Sequence, residues 1–357
     1  INSSGEDDID LDCLDIIDGD LEIDMCGSNT IDLSSVASVG DGVNIHDNYE
    51  TEIIDMSSLT TIGGSLSINS NVDLEELKFD ALDSVDGQIS LSSNSSLSVF
   101  SVPSLTLVEG SIYLNSNSGL EEVYFDALEI IEGQLRAEWN NTFQVLSLPN
   151  LTELSGELYV YYNYILDTVE LPSLTEVDSN FVVQNNSELE TLSVSSLVKV
   201  NGSFTVSSAG RMDDLDLTAL EEVNGNFSVS SNASVSRLYA PNFYDLSSSL
   251  TIRDNGDLSE VDLSSLPCID DFTIVGNNMA PEDLHDLLLQ LSCDDGSSEV
   301  IFRSEDATTL CGDDEDIVVN DLYIYAIDPE PLDLSCIIDI TGSLEIEFSD
   351  ASIINLS

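Results

Sequence analysis

Hydrophobic residues recur along this chain with a fixed period of 23 positions. A large apolar residue opens each repeat, at Leu59, Leu82, Leu105, Leu128, Leu151, Leu174, Leu197, Leu220, Phe243 and Leu266. A repeat of this length is typical of solenoid proteins, in which each unit packs only against its neighbours. The period therefore predicts the architecture before any local preference is considered.

Apolar and polar residues alternate over short stretches inside each repeat, as in Leu66–Ile68 and Leu77–Phe79. Alternation with period two indicates strands with one face inward, and no run of helical spacing lies between them. Each coil buries about seven apolar side chains, each worth roughly 1.5–3 kcal/mol, once a neighbouring coil covers them. We therefore predict an all-β fold, a parallel β-helix or β-solenoid with 23-residue coils.

An asparagine recurs at one position of the repeat, with Ala209 as the exception: Asn71, Asn94, Asn117, Asn140, Asn163, Asn186, Asn232 and Asn255. Asparagine tolerates a left-handed backbone, and its side chain can hydrogen-bond the main chain of the neighbouring coil. We expect these residues to form a ladder. A simple turn preference of asparagine is the alternative.

The regular repeat covers residues 36–280, which we predict as the solenoid, after an N-terminal cap at residues 1–35. The next segment begins with Pro281, has acids in its first turn and spaces its apolar residues as a helix does up to Leu291. We predict a helical cap at 281–300 that covers the open end of the solenoid.

Residues 301–357 repeat the beginning of the chain. The pattern Cys-x3-Ile-x-Gly-x-Leu-x-Ile starts at Cys13 and occurs again from Cys336. We predict the start of a second, similar module. Because a half-built coil leaves strand edges unpaired, we expect more chain or a neighbouring copy to complete it.

The charge of the chain is extreme, with 69 acidic and 7 basic residues and a net charge of -62. Electrostatic repulsion excludes nucleic acid as a partner and disfavours anionic membranes. Apolar residues make up 42% of the chain, which is enough for an ordered core. No signal peptide, membrane span or lipid-anchor signal is visible, which predicts a mature or excised segment. High solubility, cation binding and a salty environment are all compatible with the acidity.

Cysteines lie outside the regular coils, at Cys13, Cys26, Cys268, Cys293, Cys311 and Cys336. Their even number and flanking positions predict disulfides that lock the caps, with Cys268–Cys293 holding the helix. Asn-x-Ser/Thr sequons stand at Asn2, Asn94, Asn140, Asn150, Asn185, Asn201, Asn226, Asn232 and Asn355. Together, the cysteines and sequons predict a secreted, N-glycosylated protein.

Two sets of residues resemble a known family. Cys311-Gly-x3-Asp-Ile followed by the Cys336 run resembles the opening of the receptor L domains of insulin- and epidermal-growth-factor-type receptors. The repeats Leu-Pro-x-Leu-Thr-x-Val/Leu and Gly-x-Leu-x-Ile also resemble fungal cell-wall glycoproteins with L-domain-like repeats. The resemblance covers residues 13–293 and restarts at 311.

The resemblance implies a right-handed parallel β-helix and a disulfide between Cys311 and Cys336. By the same logic Cys13 pairs with a cysteine upstream of residue 1, and Cys26 is the alternative within the chain. The chain departs from the receptors in its uninterrupted coils, its acidity and its lack of a cysteine-rich module or kinase. Ligand-binding residues are therefore not carried over.

The outward positions of one predicted sheet are strongly acidic, and we call them the acidic face: Glu75, Glu76, Glu121, Glu122, Asp167, Glu170, Glu190, Asp213, Asp214, Asp216, Glu260 and Asp262. Carboxylates stacked about 5 Å apart repel one another, and Ca²⁺ or salt relieves the repulsion. Weak, distributed Ca²⁺ binding and a merely solvated face remain alternatives. We predict no cofactor and no dedicated metal site.

Aromatic residues concentrate on consecutive coils, at Tyr113, Tyr124, Trp139, Tyr159, Tyr161, Tyr162 and Tyr164. Grouped outward aromatics predict a contact site for a protein or glycan ligand. The alternative is packing beneath a neighbouring glycan or stabilisation by an aromatic ladder.

The chain lacks the side chains of a polysaccharide-cleaving β-helix enzyme. The outward positions of the strand after the recurring glycine hold a single acid, Glu138, and the two histidines, His46 and His285, are far apart in sequence. We predict no enzyme activity and no catalytic residue. The predicted function is a structural or adhesive protein of the cell surface or cell wall, in a tandem array or filament with copies of itself. The alternative is a ligand-recognising ectodomain of L-domain type, without nucleic-acid binding or membrane insertion.

Overall fold

A computed structural model describes residues 9–10, 14–24, 27–269 and 271–291, and the strands at 299–304, 317–319, 321–326, 337–340 and 344–348. The chain divides into two compact units, Ile1–Leu197 and Val198–Ser357. In both units short parallel strands recur with the period of the sequence repeat. The prediction of an all-β parallel β-solenoid is confirmed.

The strands of the first unit are short and follow one another in a regular order: β1 (Ile9–Asp10), β2 (Ile16–Ile17), β3 (Leu21–Asp24), β4 (Thr30–Asp32), β5 (Ser38–Val39), β6 (Val43–His46), β7 (Ile53–Asp55), β8 (Thr61–Ile62), β9 (Leu66–Asn69), β10 (Glu76–Lys78), β11 (Ser84–Val85), β12 (Ile89–Ser92), β13 (Val99–Ser101), β14 (Leu107–Val108), β15 (Ile112–Asn115), β16 (Glu122–Tyr124), β17 (Ile130–Ile131), β18 (Leu135–Glu138), β19 (Val145–Ser147), β20 (Glu153–Leu154), β21 (Leu158–Tyr161), β22 (Thr168–Glu170), β23 (Glu176–Val177), β24 (Phe181–Gln184) and β25 (Thr191–Ser193).

The second unit contains the remaining strands and the helix: β26 (Lys199–Val200), β27 (Phe204–Ser207), β28 (Asp214–Asp216), β29 (Glu222–Val223), β30 (Phe227–Ser230), β31 (Arg237–Tyr239), β32 (Asp245–Leu246), β33 (Leu250–Arg253), β34 (Glu260–Asp262), β35 (Asp271–Val275), α1 (Pro281–Leu291), β36 (Glu299–Ser304), β37 (Ile317–Val319), β38 (Asp321–Ala326), β39 (Ile337–Ile340) and β40 (Leu344–Phe348).

Each regular coil contributes a two-residue, a four-residue and a three-residue strand, and equivalent strands of successive coils pair in parallel. Leu66 of β9 pairs with Ile89 of β12, which pairs with Ile112 of β15. The four-residue strands alternate buried and partly exposed side chains, as in β9, where Leu66 and Ile68 point inward. Since every such strand follows this phase, the inward residues of successive coils stack into columns. The core of each unit is therefore built from ladders of identical register.

The coil geometry begins within the range predicted as an N-terminal cap. Strands β2, β3 and β4 pair with β5, β6 and β7 of the following coil. Leu21, Ile23 and Ile31 are buried and extend the apolar columns of the solenoid. The step from Leu21 to its partner Val43 is one residue shorter than the regular repeat, which made this coil look irregular in the sequence.

The predicted helix is present as α1, with the bounds expected from the sequence. Its buried residues include Leu287, Leu288 and Leu291. The carbonyl of Leu291 accepts a hydrogen bond from the Ile269 N–H at 2.9 Å. Gln290 Nε2 donates to the carbonyls of Leu263 at 2.6 Å and Leu266 at 3.1 Å. The helix thus satisfies backbone acceptors that a further coil would otherwise reach.

The helix covers only part of this end, because β35 continues to pair in parallel with β36, and β36 with β38. Residues 301–357, predicted as the start of a second module, lie mostly outside the described residues. Cys13, Cys26, Cys293, Cys311 and Cys336 also lie outside them, so every predicted disulfide stays a prediction. Among the described residues, no helix has the length and hydrophobicity needed to cross a bilayer.

Candidate functional site

The aromatic residues predicted to form a contact site converge on two neighbouring coils. Tyr159 and Tyr161 point outward from β21, where they alternate with the buried side chains of Leu158 and Val160. Tyr162 follows this strand directly, and Trp139 holds the equivalent position after β18, one coil earlier. The strand period therefore brings residues that are one repeat apart into contact.

Five rings and one guanidinium form the group that we call the aromatic patch: Trp139, Tyr159, Tyr161, Tyr162, Tyr164 and Arg136. The ring centroids of Trp139 and Tyr162 are 4.3 Å apart, and those of Tyr161 and Tyr162 are 4.0 Å apart. Tyr159 lies 5.2 Å from Tyr161, and Tyr164 lies 5.7 Å from Tyr162. Trp139 remains 47% exposed and Tyr164 43% exposed. The patch is thus a continuous aromatic surface that is open to a ligand.

The two central rings belong to residues with a left-handed backbone. The φ angle is 60° at Trp139 and 53° at Tyr162. Other coils of this unit place small or polar residues at the same point: Asp47, Ser70, Ser93, Ser116 and Asn185. A bulky residue is rare in this conformation, and sparsely populated conformations of this kind cluster at ligand sites. The left-handed backbone recurs from coil to coil, and the bulky aromatic residue at this point is what distinguishes these two coils.

Arg136 joins the patch although the sequence did not assign it there. Its guanidinium carbon lies 4.2 Å from the centroid of the Tyr159 ring, a cation–π contact. Its nitrogens also lie 3.3 Å from Glu138 and 3.8 Å from Glu157. The parallel register of β18 and β21 places Arg136 beside Tyr159. The sequence could have indicated this contact, because Arg136 stands one repeat before the outward residue Tyr159.

The hydroxyl groups of Tyr159 and Tyr161 stay protonated at neutral pH. The hydrogen bond with Tyr162, followed by burial, raises the pKa of Tyr161 to about 12. Burial also raises the pKa of Tyr159, against the opposing effect of the Arg136 charge. The patch consequently offers neutral hydroxyl groups, ring faces and one cation paired with carboxylates.

Two of the predicted patch residues lie elsewhere. Tyr124 belongs to β16, in a different sheet, where burial and a hydrogen bond with Glu122 raise its pKa. Tyr113 shares the sheet of the patch, but Arg136 lies between it and Tyr159 in the strand register. Tyr124 is therefore not part of the aromatic patch, because it falls on the three-residue strand of its coil.

Comparisons with known proteins do not assign the chain to a family. No family model matches it, and no curated protein does. A leucine-rich repeat protein from Bacteroides ovatus is similar over 79% of this chain and 92% of its own, with 11% identity and a TM-score of 0.19. TLR13, solved in a complex with ssRNA13, is similar over 85% of this chain and 62% of its own, with 15% identity and a TM-score of 0.20. The function therefore has to be argued from the residues of this chain.

The recurring asparagines lie in a fully buried column in each unit. In the first unit, Asn94 Nδ2 donates to the Ile68 carbonyl at 2.9 Å and to Asn117 Oδ1 at 3.3 Å. Asn48 and Asn277 extend the same hydrogen-bonding pattern. In the second unit, the Ala209 N–H donates to Asn232 Oδ1 at 2.9 Å.

The left-handed residue is not the asparagine but the residue before it, such as Ser93 or Ser116. The asparagine side chain instead hydrogen-bonds the main chain of the neighbouring coil, as in the bond from Asn94 Nδ2 to the Ile68 carbonyl, and repetition of this bond forms a ladder. The left-handed backbone expected at the asparagine lies one residue earlier.

Three predicted glycosylation sites belong to this buried column. The amides of Asn94, Asn140 and Asn232 have no solvent exposure, and each Nδ2 donates to a backbone carbonyl. A folded coil has no space for a glycan there, so we expect these three positions to carry none. Asn150 and Asn226 are exposed, Asn185 and Asn201 are partly exposed, and Asn2 and Asn355 lie outside the described residues.

Two basic residues, Lys78 and Arg237, lie on strands of the sheets that carry the acidic face. Lys78 Nζ lies 3.3 Å from Asp55 and 3.6 Å from Glu76. In the second unit, Arg237 lies 2.7 Å from Asp214. These pairs are largely solvated and contribute little each. Weak Ca²⁺ binding by this face stays a prediction.

A cluster of metal-ligating side chains was missed in the sequence. His46 lies beside Asp24 and Asp47, and their ligand atoms lie within 4.8 Å of one another. The cluster stayed hidden because Asp24 fell in the range assigned to a cap, where the repeat register was not applied.

Proposed function

We propose that this chain is an extracellular recognition and adhesion module that binds glycans through the aromatic patch. The observation that carries this proposal is the ring contact between exposed Trp139 and partly exposed Tyr162, both on left-handed backbone. Such backbone costs of order 1–3 kcal/mol for residues that do not favour it. Serine occupies the equivalent position in three other coils of the unit, Ser70, Ser93 and Ser116, so folding does not require large rings there.

Glycans suit the patch because a sugar ring combines apolar C–H faces with hydroxyl groups. The tilted rings of Trp139 and Tyr162 provide faces for stacking. The protonated hydroxyls of Tyr159 and Tyr161 and the charged groups of Arg136 and Glu138 provide hydrogen-bond partners. The net charge of -62 favours neutral or amino sugars over acidic ligands.

Secretion and N-glycosylation belong to the same proposal. The cysteines and sequons support it, and exposed Asn150 and Asn226 provide acceptor sites on the folded chain. We place the protein at the cell surface or in a cell wall, without a catalytic role. The likeness to L-domain receptors and fungal cell-wall glycoproteins supports both settings.

Self-association into an array or filament is the second candidate function. It is favoured by the repeat of the Cys13 pattern at Cys336. Negative-stain electron microscopy of native material tests it, with an axial repeat expected and isolated particles contradicting it.

The glycan proposal can be tested by intrinsic fluorescence, because Trp139 is the single tryptophan of the chain. Titration with oligomers of β-glucan, chitin and mannan should produce a saturable change for at least one of them. Tyr162→Ser should weaken that binding at least tenfold, since serine is native to the equivalent coil position. Tyr244→Ser, which removes an exposed tyrosine of the second unit, is the matched control.

Absence of a saturable response to every oligomer, or equal affinity in the Tyr162→Ser variant, would contradict the proposal. Binding of a protein ligand that depends on Tyr162 while no oligomer binds would change the ligand class to protein.

A further inference from the structure

His46 lies on the outer face of the first two described coils with carboxylates around both ring nitrogens. The strands β3 and β6 pair in parallel, and their register places Asp24 beside His46. Nδ1 of His46 lies 3.5 Å from Asp24 Oδ1 and 3.2 Å from Asp47 Oδ2. Nε2 lies 3.3 Å from Glu22 Oε1. One imidazole thus connects carboxylates of two successive coils.

Asp24 provides an independent observation that points to a ligand. Its Oδ1, the oxygen that faces His46 Nδ1, has no contact with solvent and no hydrogen bond. A buried acceptor without a hydrogen bond is costly, and a carboxylate oxygen more so than a neutral one. A cation bound at this oxygen would satisfy it.

The spacing of the three ligand atoms is close to that of a metal site. Ligand–metal bonds to nitrogen and carboxylate oxygen are about 2.0–2.2 Å long, so ligands of one ion lie roughly 3–4 Å apart. The atoms of Asp24, His46 and Asp47 all lie within 4.8 Å of one another. Small rotations of these partly exposed side chains are therefore enough to close the site.

The kinds of donor identify the class of ion. Ca²⁺ and Mg²⁺ prefer all-oxygen sites, whereas an imidazole nitrogen with carboxylate oxygens suits Zn²⁺ and related transition metals. We propose that Asp24, His46 and Asp47 form a binding site for a divalent transition-metal ion, with the metal on His46 Nδ1. This site is distinct from the acidic face and from the aromatic patch.

Glu22 acts as a positioning residue in this arrangement. When the metal occupies Nδ1, the Nε2–H of His46 donates to Glu22 Oε1, which fixes the tautomer and the ring orientation. The bound ion connects β3 to β6 and thereby stabilises the junction of two coils. Because the ion binds only the folded arrangement, the melting temperature rises with the free concentration of the ion.

Zn²⁺ binding to the full 357-residue chain, freed of metal with EDTA, tests the proposal. Isothermal titration calorimetry should show one site per chain that tenfold excess Ca²⁺ does not displace. His46→Ser should weaken binding at least tenfold, and serine is native to the equivalent outward position at Ser92, so the coil should still fold. His285→Ala, which removes the other histidine, should leave the affinity unchanged.

Two further measurements separate ligation from a merely structural role. Co²⁺ should give visible d–d absorption bands in the wild type and not in His46→Ser, while the metal-free proteins melt within a few degrees of each other. Glu22→Gln should retain one site per chain with an affinity about 10-fold lower, as expected for a residue that orients a ligand. Equal Zn²⁺ affinity of the wild type and His46→Ser, or displacement of Zn²⁺ by the Ca²⁺ excess, would overturn the proposal.

Discussion

Asn94 and Asn117 stand one repeat apart, and Asn94 uses both its side-chain and backbone N–H groups to donate to Asn117 Oδ1, at 3.3 Å and 3.1 Å. Both residues are fully buried. Asn117 in turn donates to the Leu91 carbonyl at 2.9 Å and to Asn140 Oδ1 at 3.2 Å. Asn117 therefore connects its coil both to the preceding coil, through Leu91, and to the following coil, through Asn140.

Substitution of Asn117 by alanine should lower the free energy of unfolding by about 3 kcal/mol or more, because several buried polar groups lose their partners at once. Urea denaturation followed by circular dichroism measures the loss. Asn242→Ala is the matched control, since Asn242 is exposed and makes a hydrogen bond only to the Thr218 carbonyl among the bonds described for it. Equal stability of the two variants would contradict a structural role of the column.

Mass spectrometry after enzymatic deglycosylation in ¹⁸O water should find no modification at Asn94, Asn140 or Asn232. Their side-chain amides are buried and hydrogen-bonded, so a glycan and the folded coil exclude each other. Exposed Asn150 and Asn226 are the positions where we expect occupancy in a glycosylating host. A glycopeptide containing Asn94 from folded protein would show that the column is not packed as described.

Alkaline titration of the tyrosines, followed by absorbance near 295 nm, should contain one late transition from Tyr161 with a pKa of about 12. The folded pKa lies above the unfolded value of about 10. The stability contributed by this group is therefore complete below pH 10 and is lost as the pH rises through the folded pKa.

Two variants assign this transition. Tyr161→Phe should remove it, and Tyr162→Ser should move it to lower pH, since the hydrogen bond with Tyr162 is the largest cause of the shift. A late transition that survives Tyr161→Phe belongs to another tyrosine and contradicts the assignment.

Gly110→Ala should destabilise the first unit by about 1–3 kcal/mol, the usual cost of overpacking. A Cβ atom at this position would lie 2.6 Å from the carbonyl carbon of Gly87 and 2.7 Å from the Gln88 nitrogen, so neighbouring backbone would have to move. Gly19→Ala is the control, because a Cβ there has only a carboxylate oxygen of Asp41 at 3.9 Å. Thermal melts compare the stabilities of the two variants. A Gly110→Ala variant as stable as Gly19→Ala would refute the tight packing of Gly110 against the backbone of Gly87 and Gln88.

Much of the fold could be predicted because the apolar residues repeat with one period. Leu66, Ile89 and Ile112 already stand one repeat apart in sequence, and the structure pairs them in that order. The helix from Pro281 to Leu291 was equally readable, since its end signals and apolar spacing are local. The first coil departs from this period, since the step from Leu21 to its partner Val43 is one residue shorter than the others.

The candidate sites could be predicted only in part. The rings of Trp139 and Tyr162 are one period apart, so their contact follows from the repeat, whereas Tyr124 needed the strand assignment to be excluded. The partnership of His46 with Asp24 depends on the pairing of β3 with β6. No local sequence pattern around His46 predicts the pairing of β3 with β6.

The amino-acid sequence by itself determined the coil, its period, its inward columns and its unusual charge, because these follow from the order of apolar and polar residues. Only the tertiary structure decided which outward groups meet, since stacking brings together side chains that are a whole coil apart along the chain. It also decided that the side chain of Asn94 is buried and hydrogen-bonded, although the residue begins an Asn-x-Ser/Thr sequon. The physical reason is that the burial and hydrogen bonding of a side chain depend on the neighbouring coil. A short sequence motif carries no information about where that coil lies.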